Sequence, residues 1–182
     1  VLNKVRNDGE TTLVKVMAQE LQKMLEGDNA ALVPQIWSAV TGLLRDQIDI
    51  KYFTDLEEWL KVFEKGLKSD NDQVKMYGNV AYGFLIYAVN PSQDTVRGWS
   101  RFLLNIPLQQ LQRRGSTKKS ERDAIFCGYN TLLYYAFRPT SSHEQLDRFW
   151  TEFVVGFWTP LIHQSSSIQA ALACRYVTAL LN

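Results

Sequence analysis

Cysteine and histidine are scarce in this chain, with two of each in 182 residues. A protein zinc site needs several such ligands at short fixed spacings, and Cys127, Cys174, His143 and His163 supply no pair of that kind. No metal and no cofactor is expected. Glycine-rich phosphate loops and the Gly-x-Ser-x-Gly nucleophile turn are also missing. Glu57 and Glu58 are adjacent carboxylates, but neighbouring helix positions diverge by more than a quarter turn and do not converge on one substrate. His143 and His163 read as polar residues at helix ends. The chain is not expected to be an enzyme or to take a small-molecule substrate.

Charge of one sign is lacking too: 20 Lys and Arg against 19 Asp and Glu leave a formal charge of +1. Any affinity for a polyanion must therefore be local. The longest uncharged apolar run, Tyr82 to Val89, is far short of the ~20 residues a membrane helix requires. No membrane partner is expected. No segment alternates polar and apolar residues with turn signals at its ends, which excludes a sheet and leaves an all-α chain. Both cysteines fall in apolar helical patterns, and buried reduced thiols of a nuclear or cytosolic protein are expected.

What the chain does have is a recurring unit. Polar caps at Asn29, Asn71, Ser120 and Ser167 each open an amphipathic segment, and successive starts lie 42, 49 and 47 residues apart. Another helical segment fits before each one. Two helices per roughly 40–47 residues is the period of HEAT and armadillo repeats, whose units stack because none can bury its apolar face alone. The expectation is an α-solenoid of about four antiparallel helix pairs over residues 1–182, a single segment. Val1 at one end and the apolar Ala179-Leu180-Leu181 at the other suggest a piece of a longer array, with apolar surface exposed at the cut.

Eight helices are predicted. The first spans about Glu10 to Leu25, with Leu13, Met17, Leu21 and Met24 inward. The second follows Asn29 and carries Ile36, Val40, Leu43 and Leu44. The third opens on Thr54-Asp55-Leu56-Glu57, read as a capping box, and buries Leu56, Leu60, Phe63 and Leu67. The fourth buries Val74, Tyr77, Ala81, Leu85 and Ala88, stops at Asn90-Pro91, and has small residues at Gly78 and Ala81 for close approach to its neighbour. The fifth carries Val96, Trp99, Leu103 and Ile106, and Pro107 either kinks it or starts a short new helix through Leu111. The sixth runs from Ser120 to Phe137 on Ile125, Tyr129, Leu132, Leu133 and Ala136. The seventh starts near Ser142 with Leu146, Phe149, Phe153 and Phe157, and Pro160 bends or ends it. The eighth begins near Ser167 with Ile168, Leu172, Tyr176 and Ala179. The five tryptophans, Trp37, Trp59, Trp99, Trp150 and Trp158, read as core rather than as a base-stacking platform.

One segment departs from this pattern. Between Arg113 and Arg122, five basic residues (Arg113, Arg114, Lys118, Lys119 and Arg122) meet one acid, Glu121, in a Gly/Ser/Thr context. Arg97 and Arg101 lie upstream. Charged heads beside a helix start, with its free backbone N–H groups, can grip phosphates. A solvated loop between repeats is the plain alternative. Arg113-Arg114-Gly115-Ser116 also matches a basophilic-kinase site, a short pattern that recurs by chance.

The stretch Leu132-Leu133-Tyr134-Tyr135-Ala136-Phe137-Arg138-Pro139, followed by His143, Leu146-Asp147 and Phe149-Trp150, resembles the N-terminal HEAT region of fungal Rif proteins, the Rap-interacting factors. Val80 to Asn90 and Pro107-Leu108-Gln109-Gln110-Leu111 fit the same resemblance, which covers roughly Val74 to Trp150. It implies a nuclear, chromosome- and telomere-associated scaffold acting in telomere maintenance, replication timing and break repair. It also implies binding to double-stranded DNA or DNA junctions, other telomere and chromatin proteins as partners, and docking of type-1 protein phosphatase. The phosphatase motif, basic-x-Val-x-Phe, is missing here, since Lys61-Val62-Phe63 lacks the intervening residue, so that docking is expected outside this segment. The competing expectation is a protein-interaction solenoid with no direct DNA contact, which the near-zero net charge favours.

Overall fold

The computed structural model describes residues 12–48, 55–106, 109, 119–136, 142–164, 170–171, 173–175 and 177–178. Among these the chain is helical, with no strand. It divides into two compact units, Val1–Asn90 with Lys118–Gly128, and Pro91–Thr117 with Tyr129–Asn182.

The first unit contains α1 (Leu13–Met24), α2 (Val33–Leu44), α3 (Leu56–Lys68) and α4 (Asp72–Val89), with single 3-10 turns at Ala30–Leu32 and Arg45–Gln47. Helix α1 packs on α3 and α2 on α4, while α3 also packs on α4. Two layers result, one of α1 and α3, the other of α2 and α4. The local chemistry fixes the helix starts. The Thr12 hydroxyl accepts from the Lys15 N–H at 3.2 Å and donates to the Asp55 carboxylate, linking the starts of α1 and α3. The Asn71 side chain accepts from the Gln73 and Val74 N–H groups, and Asn90 in the left-handed region, followed by Pro91, ends α4.

Trp37, Trp59 and Phe63 form the centre of this core. Trp37 stacks on Trp59 at 5.7 Å and on Phe63 at 5.1 Å. Burying an indole N–H without a partner is costly, and both are satisfied. Trp37 Nε1 donates to the Trp59 carbonyl at 2.9 Å, and Trp59 Nε1 donates to the Thr41 hydroxyl at 3.0 Å. Where α4 crosses α3, a Cβ on Gly78 would stand 3.2 Å from the Gly66 carbonyl carbon, so the crossing needs a glycine there. Tyr82 is fully buried against Gly128, and burial pushes its phenol well above the ordinary tyrosine range.

In the second unit, α5 (Gln93–Gly98) starts on Ser92 and leads into a π-helical stretch, Arg101–Asn105, in which the Ile106 N–H reaches back to the Arg101 carbonyl. Val96, Trp99, Leu103 and Ile106 are buried as expected. Helix α6 (Lys119–Ala136) contributes Tyr129, Leu132, Leu133 and Ala136 to this core and Ile125 to that of the first unit. Helix α7 (His143–Phe149) opens with a full capping box between Ser142 and Gln145. A second π-helical stretch, Trp150–Val155, follows it, then α8 (Gly156–Gln164). Trp158 meets Tyr129 edge to face at 5.6 Å.

Several expectations are corrected. The buried face of α1 is Val14, Ala18 and Leu21, turned by about one position from the expected stripe, and Leu13 is exposed. In α2 the face is Trp37, Thr41 and Leu44, and Leu43 is 76% exposed. Asp55 occupies the cap position of α3, its carboxylate engaged by Thr12, and Glu57 reaches Lys61, while Thr54 of the expected capping box is not among the described residues. Of the two outcomes expected at Pro160, a bend or an end, the end is ruled out, since α8 continues to Gln164. Cys127 and Cys174 are exposed, because each sits off the apolar stripe of its helix. Thr54, Pro107, Leu172, Tyr176 and Ala179 lie outside the described residues. The stripes of α3 and α6 and the core placement of Trp37, Trp59, Trp99 and Trp158 stand as read from sequence.

Candidate nucleic-acid interface

The basic residues divide by location. Arg113, Arg114 and Lys118 lie outside the described residues. Lys119 and Ser120 are exposed at the start of α6, and Arg122 follows three positions after Lys119, on the same side of the helix. Ordinary helix geometry makes such a start attractive to anions, since N–H groups there have no carbonyl partner within the helix. These residues belong to the first unit.

Arg97 and Arg101 belong to the second unit. Arg97 is half-buried, and its guanidinium donates to the Glu152 carboxylate at 3.1 Å, joining α5 to the π-helical stretch after α7. Its charge is already partly compensated there. Arg101 is exposed, four positions further along, with its guanidinium 5.2 Å from the Phe102 ring. The two arginines thus neighbour each other in sequence, and a carboxylate is drawn up against Arg97. The Glu152 partner, 55 positions away, carried no sequence signal, because nothing in the spacing of a long-range pair is periodic.

The residues weighed for other chemistry have plain roles. Glu57 and Glu58 both reach Lys61, at 3.5 and 2.7 Å, on the exposed side of α3. The Lys61 hydrogen bond holds the Glu58 carboxyl below its usual range, and Glu58 in turn raises Lys61. That is a solvated charge cluster, not an acid–base pair. His143 and His163 are both exposed. Among the described residues no three His, Cys, Asp or Glu side chains gather where they could hold a metal ion. No described helix is long and apolar enough to cross a membrane.

Among the described residues the chain is all-helical, and the chemistry its core leaves unused is basic. Residues 1–154 match the family described as Rap1-interacting factor 1 N terminal, and the chain belongs to that family. No curated protein and no solved structure matches the chain. The family match extends the resemblance read from Val74 to Trp150 back through the whole first unit. It is a telomere- and chromatin-associated family of scaffold type.

Proposed function

We propose that this chain is a segment of a nuclear, telomere- and chromosome-associated scaffold that binds double-stranded DNA or DNA junctions without sequence preference. Its roles would lie in telomere maintenance, replication timing and break repair. Family membership carries the reading, and the five basic residues between Arg113 and Arg122 give it a chemical means. Because the formal charge of the chain is only +1, attraction to phosphate rests on this cluster rather than on the whole molecule. No recognition element for base edges is apparent in the sequence, so the contacts would be to backbone phosphate. The stacking of α1 on α3 and of α2 on α4 supports a HEAT-like arrangement of helix pairs, extended over the chain as one solenoid. Type-1 phosphatase would dock elsewhere, for want of a basic-x-Val-x-Phe motif here.

The test is a salt titration of duplex binding. Every phosphate that a side chain ceases to neutralise lowers the log–log slope by about 0.9. Replacing Arg113, Arg114, Lys118, Lys119 and Arg122 by Ala should flatten the slope by up to roughly 4–5 units while leaving the helical signal unchanged. An unaltered slope in a folded variant moves the DNA surface elsewhere. No salt-dependent binding by the parent chain leaves the protein-interaction scaffold as the better reading.

A further inference from the structure

The two layers of the first unit present different chemistry to solvent. In the α1/α3 layer the outward positions mix charge with two apolar residues, Leu13 and Val16 of α1, while α3 is charged throughout its exposed side. Helix α3 alone carries Glu57, Glu58, Lys61, Glu64, Lys65 and Lys68, and pairs most of them within itself. Helix α2 contains no Asp, Glu, Lys or Arg. Helix α4 contains two, Asp72 in its first turn and Lys75, which is buried. The outward half of α4 is instead apolar and aromatic. Val80, Phe84 and Tyr87 lie at i, i+4 and i+7, each more than 40% exposed, with Met76 half-buried one turn earlier. A helix apolar on both sides is one that expects cover on both sides.

The patch continues onto α2. A Cβ on Gly42 would stand 3.8 Å from the Phe84 ring, and Leu43 beside it is 76% exposed. At the end of α2 the Arg45 guanidinium lies 4.7 Å from the centroid of the Tyr87 ring. Arg45 holds a positive φ of 33°, which an L side chain rarely adopts, and it is exposed. The stripe from Met76 to Tyr87 covers three turns, about 16 Å at 1.5 Å per residue. Arg45 stands at its Tyr87 end.

We propose that the α2/α4 face docks an amphipathic helix of a partner protein, about 11–14 residues long, with apolar side chains at i, i+4, i+7 and i+11 and a carboxylate at the end that meets Arg45. The length of the stripe sets the length of the occupant, the missing charge sets its apolar face, and Arg45 sets its polarity. Exposed aromatic residues, Met and Arg, without Lys or Glu among them, are the composition of an interface core. A face so poor in cations is unsuited to phosphate, so this surface is separate from the basic cluster proposed for DNA.

A display library of helical peptides about 14 residues long, with the four stripe positions and both ends randomised, tests it on the intact chain. Enriched peptides should carry Leu, Ile, Met or Phe in the stripe and Asp or Glu at one end. Their affinity should fall by at least roughly tenfold on Phe84→Glu and, independently, on Leu43→Glu, each with an unchanged melting curve. Arg45→Glu should weaken binding, and exchange of the peptide carboxylate for Lys should restore it. The proposal is overturned by selection without enrichment, or by peptides that bind Phe84→Glu and Leu43→Glu as well as the parent. It is also overturned if duplex DNA displaces the peptide, or if the parent chain forms a dimer that Leu43→Glu dissociates, which would make a second copy the occupant.

Discussion

Three glycines show how finely single positions are set. Gly83 lies inside α4 with open space where a Cβ would be, so it contributes backbone freedom to the unfolded chain and nothing to packing. Gly83→Ala should stabilise the protein by about 0.5–1 kcal/mol. Gly78, five positions earlier, faces the opposite demand: an added Cβ would press on the Gly66 and Leu67 backbone at 3.2–3.3 Å. Gly78→Ala must push α3 and α4 apart and should cost about 1–3 kcal/mol. Gly128→Ala is worse placed, since its Cβ would stand 2.8 Å from Cε1 of the fully buried Tyr82 ring. Urea titrations of the three variants check this order. A stabilising Gly78→Ala would mean that the helix crossing is looser than the backbone separation implies.

At the scale of elements, amphipathic period was enough to place α3, whose apolar and polar residues segregate cleanly. The stripe of α6 stands as well, although exposed Tyr134 and Cys127 interrupt its pattern. The same period misplaced the faces of α1 and α2. In α1 the spacing of Leu and Met favours one face, yet Val14 and Ala18 are buried, as small side chains are where helices approach closely. In α2 the inward residues are Trp37 and Thr41, held by hydrogen bonds to α3 that no count of apolar residues reveals. Leu43 is left outside, and that misplacement is what exposes the proposed docking face. The basic cluster was legible as charge, whereas the Arg97–Glu152 pair was not, because the two residues meet only through the fold. The exposed face of α3 also makes a pH prediction. Lys61 holds the Glu58 carboxyl below its ordinary value of 4.5, so the pair stabilises the fold above that pH. Its contribution fades as pH falls through the lowered value. The stability difference between the parent and Glu58→Gln should therefore hold near neutral pH and vanish in acid, and added salt should shrink it. A difference that persists unchanged at low pH would show that Glu58 acts through something other than its charge.

For the whole molecule the governing fact is balance: 20 basic against 19 acidic side chains. DNA binding by such a chain depends on how acids are distributed around the cations, not on how many cations there are. Glu152 decides whether Arg97 can serve a phosphate, since a guanidinium bonded at 3.1 Å to a carboxylate must release it or share it. Glu152→Gln removes that competition, keeps the shape and hydrogen-bonding reach of the side chain, and raises the formal charge by one. If Arg97 and Arg101 face the DNA, the variant should bind duplex more tightly and steepen the salt slope by up to about 0.9. Combined with the five-fold alanine variant of the Arg113–Arg122 segment, it should recover part of the slope that variant forfeits. Should Glu152→Gln leave affinity and slope unchanged while Lys119→Gln lowers both, the second unit's arginines are structural, and the interface is confined to the segment leading into α6.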